Sequence, residues 1–290
     1  MRVLVLGATG YIGSAVVSRL TQEGHDVVPL VKDATALHPD VPVRVGDLAD
    51  PASLRAAVTD DIDAVVHLAA PTGDEAVDTA AVEALLAPLR GTGRAFVYTS
   101  GVWVLGATGD APLTEDADTD PIAIVGYRPR VEQRVLAAAG DDVRAAVIRP
   151  GIVYGRDGGI PAMMTGWARE QGAGRYVGAV TTRWPMVHVD DLAELYALTL
   201  AKGDAGALLH GVAWESVPAA AVAAAADVAA GGTGRAEPWS LAEAAEAVGA
   251  PFAEALAVDQ VVSGRRAVER LGWRPSRPYV LTELAGGSRD

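Results

Sequence analysis

The chain has 290 residues, half of them hydrophobic, and its 24 basic and 37 acidic residues leave a formal charge of −13. That length suits one large domain or two small ones with a buried core, and the acidic balance excludes a general nucleic-acid binder, which needs a basic face. The absence of cysteine excludes disulfides, thiolate catalysis and cysteine-ligated metals, and it fits a cytoplasmic protein.

Arg2-Val3-Leu4-Val5-Leu6 is a short apolar run read as a strand, with no room before it for a signal peptide. Gly7-Ala8-Thr9-Gly10-Tyr11-Ile12-Gly13 follows without a break, and an amphipathic stretch runs on to residue 23. Strand, glycine turn and helix form the context in which a glycine motif binds a dinucleotide. Gly7 turns the chain at the strand end, Gly10 lets the backbone approach a pyrophosphate, and Gly13 lets the helix sit close to the sheet. Thr9, Tyr11 and Ile12 complete the cradle, whose free N–H groups and macrodipole favour negative charge.

Further strands are expected at residues 26–31, 42–45, 64–68, 94–99 and 144–149, with helices at 11–23, 51–58, 75–90 and 122–139. Strands separated by helical crossovers imply an α/β fold, a doubly wound parallel sheet of the Rossmann kind. Residues 101–121 form a long Gly/Asp/Thr/Pro-rich loop of the sort that lines sites. After residue 155 the pattern loosens into helices near 160–171 and 190–201, short strands and alanine-rich helices. The expected division is a nucleotide-binding domain at 1–155 and, at 156–290, mainly a smaller C-terminal substrate-binding cap, with 190–201 returning to the core. No segment approaches a membrane span, and five histidines without paired spacing offer no metal-ligand set.

The end of the second strand touches the adenosine ribose in such folds, an acid there suiting a free 2′-hydroxyl and a base a 2′-phosphate. Here Val31 stands at the acid's place and Lys32, one of two lysines in the chain, follows it. That points to NADP(H) over NAD(H). The other reading leaves Lys32 in solvent and gives the ribose to Asp33. Asp47, with Leu48 beside it, ends the third strand within reach of the adenine amino group. His67 reads as a satisfied strand residue, and Leu68, Ala69 and Ala70 are small enough for a close cofactor pass.

Together these segments resemble the extended short-chain dehydrogenase/reductase superfamily, in its NAD(P)-dependent epimerase/dehydratase branch. The likeness covers nearly the whole chain and includes Tyr98-Thr99-Ser100, Arg149-Pro150-Gly151-Ile152-Val153-Tyr154-Gly155, Val187-His188-Val189-Asp190-Asp191 and Leu271-Gly272-Trp273. The resemblance implies that a Ser or Thr after strand five polarises the substrate oxygen. A Tyr in a YxxxK motif then transfers the proton, and the Lys lowers that phenol's pKa while binding the nicotinamide ribose.

This sequence departs at all three positions. Gly101 stands at the hydroxyl position, and Ser100 is the nearest replacement. Tyr127 is followed four residues later by Val131; registering on Val131-Glu132-Gln133 puts Ile124 at the Tyr place and Arg128 at the Lys place. Arg128 suits the ribose hydroxyls but stays charged and cannot relay protons. Tyr127 is either a displaced proton donor or a helix residue packing beside Pro129. Ser100, Tyr127 and Arg128 are thus the catalytic candidates, and Thr99, Arg128, Pro150, Gly151, Ile152 and Val153 join the cofactor set.

Ile152 also stands where nucleotide-sugar members carry Asn, which removes a donor–acceptor pair suited to a sugar. Trp103, Leu105 and Met164, with Met163, Trp167, Trp184 and Met186, point to an apolar or aromatic substrate; Arg183 is the polar candidate, while His188 braces the cap. The expected activity is NADP(H)-dependent oxidation or reduction at a carbonyl or hydroxyl of a small molecule. The rivals are an epimerase/dehydratase-type isomerase or lyase, and a dinucleotide-binding sensor or non-redox protein without the proton relay. Residues 75–90 and 122–139 are candidate pairing helices for a homodimer; neither membrane nor nucleic acid is an expected partner.

Overall fold

The computed structural model describes residues 1–36 and 42–286. In chain order it contains β1 (Arg2–Leu6), α1 (Tyr11–Gln22), β2 (Asp26–Val31), β3 (Arg44–Val45), α2 (Pro51–Ala57), β4 (Ala64–His67), α3 (Glu75–Leu86), β5 (Ala95–Thr99), α4 (Arg128–Ala137) and β6 (Arg144–Pro150). There follow β7 (Ile152–Gly155), α5 (Gly159–Gln171), β8 (Gly174–Val177), β9 (Arg183–His188), α6 (Val189–Lys202), β10 (Ala207–Gly211), β11 (Trp214–Pro218), α7 (Ala219–Ala229) and β12 (Ala236–Trp239). Four short helices close the chain: α8 (Leu241–Val248), α9 (Ala250–Leu256), α10 (Arg265–Leu271) and α11 (Val280–Gly286).

The chain divides into two compact units. The first comprises Met1–Ser100, Tyr127–Arg149 and Ala193–Leu209, the second Gly101–Gly126, Pro150–Leu192 and His210–Asp290. The seven-stranded sheet runs in the order β10-β6-β5-β4-β1-β2-β3, and the registered pairs from β6 through β3 are all parallel. Both faces of such a sheet are covered, so its strands read as unbroken apolar runs. Val3 to Leu6 and Ala64 to Val66 are each fully buried. Strand order reverses direction at β1, and ligands of open α/β sheets settle beyond the strand C-termini at such a switch point.

Local chemistry accounts for the helix ends. Asp50 caps α2 by accepting from Ala52 N at 3.1 Å, and Asp74 caps α3 through Ala76 N at 2.8 Å. The helix expected at 122–139 is instead broken. A short 3₁₀ turn occupies Ala123–Val125, and α4 starts only at Arg128. Pro129 is the reason: inside a continuous helix its ring would clash with the carbonyl four residues back, whereas in the first turn its missing N–H costs nothing. Pro88 acts similarly beyond α3, where the chain tightens to 3₁₀ at Ala87–Leu89.

Within the second unit, β11, β9 and β7 form a three-stranded sheet and β12 pairs with β8. Its main apolar cluster gathers Ile152, Tyr154, Met164, Trp184, Met186 and Trp239 with the alanine face of α7.

Candidate functional site

The glycine turn lies at the switch point of the first unit. Gly7 has φ +73°, and a Cβ there would come within 2.6 Å of Ala69 N and 2.7 Å of the Leu68 carbonyl. A Cβ on Gly13 would fall 1.9 Å from Gly7 O, so α1 rests directly on the turn. Gly10 differs: among the described residues a Cβ there would meet only Gly7 O, at 3.3 Å. Thr9 and Gly10 are exposed, Tyr11 and Ile12 half-buried. No side chain caps α1, unlike α2 and α3, and no acid stands in its first turn, unlike α3. A backbone cradle with an open glycine and an uncapped 12-residue helix has the form a pyrophosphate requires, so the residues present fit a dinucleotide.

At the ends of β2 and β3, Lys32 Nζ lies 3.2 Å from Asp47 Oδ1. The same oxygen accepts from Ala49 N at 3.0 Å, and that bond, with Lys32 second, holds the Asp47 carboxyl below its ordinary range. Asp33 turns back on its own loop, accepting from Thr35 N at 2.9 Å. Leu48 and Ala69 pack on the apolar core of this unit, and Ala70 is exposed.

The ends of β4 and β5 carry polar groups that are buried at His67 and Ser100 and half-buried at Thr99, with Arg128, also half-buried, beside them. Arg128 Nη2 donates to Thr99 O at 3.1 Å, while Thr99 Oγ1 and Tyr196 Oη share a hydrogen bond of 2.6 Å. Ser100 is 5% exposed and its Oγ has no hydrogen-bond partner; its backbone N–H donates to Ile148 O. His67 Nδ1 and Arg128 Nε are likewise buried without partners. No carboxylate among the described residues comes within ion-pair distance of Arg128. Burial, reinforced by the Arg128 charge, pushes the His67 ring down to about 4, so it is neutral near pH 7. The expectation of a satisfied strand histidine therefore needs correction at Nδ1.

Tyr127 immediately precedes α4. Its phenol donates to Asp78 Oδ2 at 2.5 Å and accepts from Gly73 N at 3.2 Å. Asp78 also receives Thr72 N and Thr72 Oγ1. Ile124 lies in the separate 3₁₀ turn, so Ile124 and Arg128 do not share a continuous helix face. Sequence reading missed Asp78 and Tyr196. Asp78 left one signal: it is an acid on the apolar stripe of α3 that continues through Ala81, Val82 and Leu85.

Within the second unit, Gly151 packs so closely that a Cβ would meet Pro185 O at 2.5 Å. Ile152 is paired with Met186 across β7 and β9, Val153 is half-buried, and Pro150 is buried. Met164 lies inside the main cluster of this unit, and Leu105 in a smaller one with Val104, Val125 and Val262. Trp103 is partly buried, edge-on to Phe252. Arg183 is bound to Asp259 through Nε at 3.0 Å and Nη2 at 2.6 Å, and to Asp110 through Nη1 at 3.0 Å. His188 Nδ1 accepts from Asp190 N at 3.0 Å, and Nε2 faces Glu283 at 3.2 Å.

A doubly wound sheet with a glycine cradle at its switch point defines a dinucleotide-binding protein. Residues 3–210 match the NAD dependent epimerase/dehydratase family, and the chain belongs to it. The uncharacterized protein C2A9.02 of Schizosaccharomyces pombe is 33% identical, with 98% of each chain covered. The 2-alkyl-3-oxoalkanoate reductase of Stenotrophomonas maltophilia is 29% identical over 99% of this chain and 86% of its own. Among solved structures, human epimerase family protein SDR39U1 with NADPH has a TM-score of 0.79 at 25% identity, covering 99% of this chain and 98% of that one. The Thermus thermophilus UDP-glucose 4-epimerase with NAD also reaches 0.79, at 20% identity and 98% and 97% coverage, and shares the fold. No helix among the described residues is long and apolar enough to cross a membrane.

Proposed function

We propose that the chain is an NADP(H)-dependent oxidoreductase acting on a carbonyl or hydroxyl of a small, apolar or aromatic organic molecule, with Arg128 and Ser100 in place of the tyrosine–lysine couple. One observation carries this reading. Arg128 is anchored on the Thr99 carbonyl with no counter-carboxylate among the described residues, next to a strand end whose Ser100 hydroxyl is buried and unpartnered. Buried polar groups without partners are rare, and a cluster of them marks a place where a ligand completes the bonding.

The first unit would hold the cofactor. Gly7, Gly10, Gly13 and the first turn of α1 take the pyrophosphate, Asp47 the adenine amino group, Lys32 the 2′-phosphate and Arg128 the nicotinamide ribose. A bound nicotinamide supplies or accepts the hydride. Arg128 then stabilises negative charge on the substrate oxygen with a fixed cation that needs no reorganisation, and Ser100 donates a hydrogen bond to the same oxygen. Tyr127 is a positioning residue, because its proton is committed to Asp78 and its phenol is shifted above the ordinary range by burial and by that bond. The final proton reaches the product from Ser100 or water. Arg183 is engaged by its two aspartates and takes no part.

The NADPH-bound relative and the reductase relative support this assignment, and the cysteine-free composition suits a cytoplasmic setting. The test is calorimetric titration with NADPH and NADH, followed by an absorbance screen against aldehydes, ketones and quinones. NADPH binding with turnover, lost in Arg128→Gln and partly restored by added guanidinium, is the expected result. Tight binding with no turnover of any carbonyl would overturn the redox reading and leave a dinucleotide sensor.

A further inference from the structure

We infer that Asp47 restrains the preference for a 2′-phosphorylated dinucleotide, by holding Lys32 in an ion pair that the phosphate must displace. This rests on the dinucleotide reading above and goes beyond it, since it names the residue that limits the selectivity.

The geometry begins with the sheet. β2 and β3 are parallel neighbours in the register Leu30 with Arg44 and Val31 with Val45. Their C-terminal ends therefore deliver Lys32 and Asp47 side by side at one edge, and Nζ lies 3.2 Å from Oδ1. The two partners are not equally free to move. Asp47 is tied into its own turn by three bonds: its N–H donates to Ser53 Oγ, its carbonyl accepts from Asp50 N, and Oδ1 accepts from Ala49 N. Lys32 is 74% exposed at its side chain, on a flexible four-carbon stem. When a second anion arrives, the lysine moves and the carboxylate stays.

The local charge sharpens the point. Among the described residues Lys32 has Asp47 in the ion pair and Asp33 next to it in the chain, so the one cation stands with two anions. A phosphate monoester brings a charge of about −1.5 to −2. It gains the lysine only by taking it from Asp47, and it then sits beside an uncompensated carboxylate. Both effects subtract from binding of the phosphorylated cofactor, and neither touches a dinucleotide with a free 2′-hydroxyl.

The experiment is isothermal titration of the intact protein with NADPH and with NADH, for the wild type, Asp47→Asn, Lys32→Met and the double variant, with thermal melts to match folding. Asp47→Asn keeps a side-chain oxygen for Ala49 N, removes the charge and turns the second oxygen into a donor, a change at the adenine contact that both nucleotides share. Expected for this variant is a Kd(NADH)/Kd(NADPH) ratio raised about threefold to tenfold, as befits an exposed pair and one nearby like charge, any change at the adenine contact being common to both nucleotides. Lys32→Met weakens NADPH alone, and in its background the gain from Asp47→Asn shrinks. An unchanged or lowered NADPH/NADH preference in a folded Asp47→Asn protein overturns the inference while the dinucleotide reading stands. Failure of the wild type to bind either nucleotide overturns both.

Discussion

The phenol of Tyr127 donates to Oδ2 of Asp78 across 2.5 Å, although 49 residues separate them in the chain. The same carboxylate gathers the Thr72 N–H and hydroxyl, so one buried acid ties the loop after β4 to the start of α4. Arg128 is the next residue, and its guanidinium rests on the Thr99 carbonyl. In the proposed function the tyrosine nearest the expected catalytic position serves to place that arginine.

Tyr127→Phe tests that role. It removes one donor from a buried carboxylate and strips Gly73 N of its acceptor, and we expect about 1–3 kcal/mol of lost stability in urea unfolding. Turnover should fall only slightly. A drop in kcat on the order of a hundredfold or more, at unchanged stability, would instead make Tyr127 the proton donor.

His67 makes stability pH-dependent. Its ring is edge-on to Tyr98, and burial, with the Arg128 charge second, pushes its pKa from 6.5 down to about 4. Between these values the unfolded chain binds more protons than the native one. The contribution is thus fully present above about pH 6.5 and is lost as pH falls toward 4, about 2–3 kcal/mol in all. Urea midpoints for wild type and His67→Leu, compared on either side of that window, should show the difference between them change by that amount. A constant difference would mean the ring does not carry the titration.

The two turn glycines should separate folding from binding. A methyl on Gly13 would sit 1.9 Å from Gly7 O, whereas one on Gly10 meets only that oxygen at 3.3 Å. Gly13→Ala is expected to lower the melting temperature and weaken NADPH by at least about tenfold. Gly10→Ala should keep the melt within a few degrees and lose the nucleotide. Equal affinity in wild type and Gly10→Ala would move the pyrophosphate away from this turn.

Glu132 and Arg149 form a buried pair, with side chains 2% and 4% exposed and Arg149 Nε 2.9 Å from Glu132 Oε1. Glu132→Gln leaves the guanidinium without its counter-charge, and a loss of about 3–5 kcal/mol is expected. Glu132→Leu with Arg149→Met should recover much of it. Denaturant titration decides the matter: a mild single variant would show that water reaches the pair.

Much of this molecule is written in local sequence. The bounds of β1 and β2 follow from apolar runs ended by turn residues, and the cradle follows from glycines whose demands concern their own backbone and immediate neighbours. Lys32 and Asp47 could be named because strand ends fall at predictable places. The break before α4 was also present locally, in Pro129, but the apolar spacing of residues 122–139 masked it.

What lay beyond the sequence was the bonding between distant side chains. Nothing in the order of residues says that Tyr127 finds Asp78, that Lys32 is already paired with Asp47, or that Arg183 is taken up by Asp110 and Asp259. Backbone geometry is governed by sterics a few residues wide, so glycine, proline and apolar period suffice to announce it. A proton's whereabouts depends on which donors and acceptors folding brings within about 3 Å, and only the packed chain decides that.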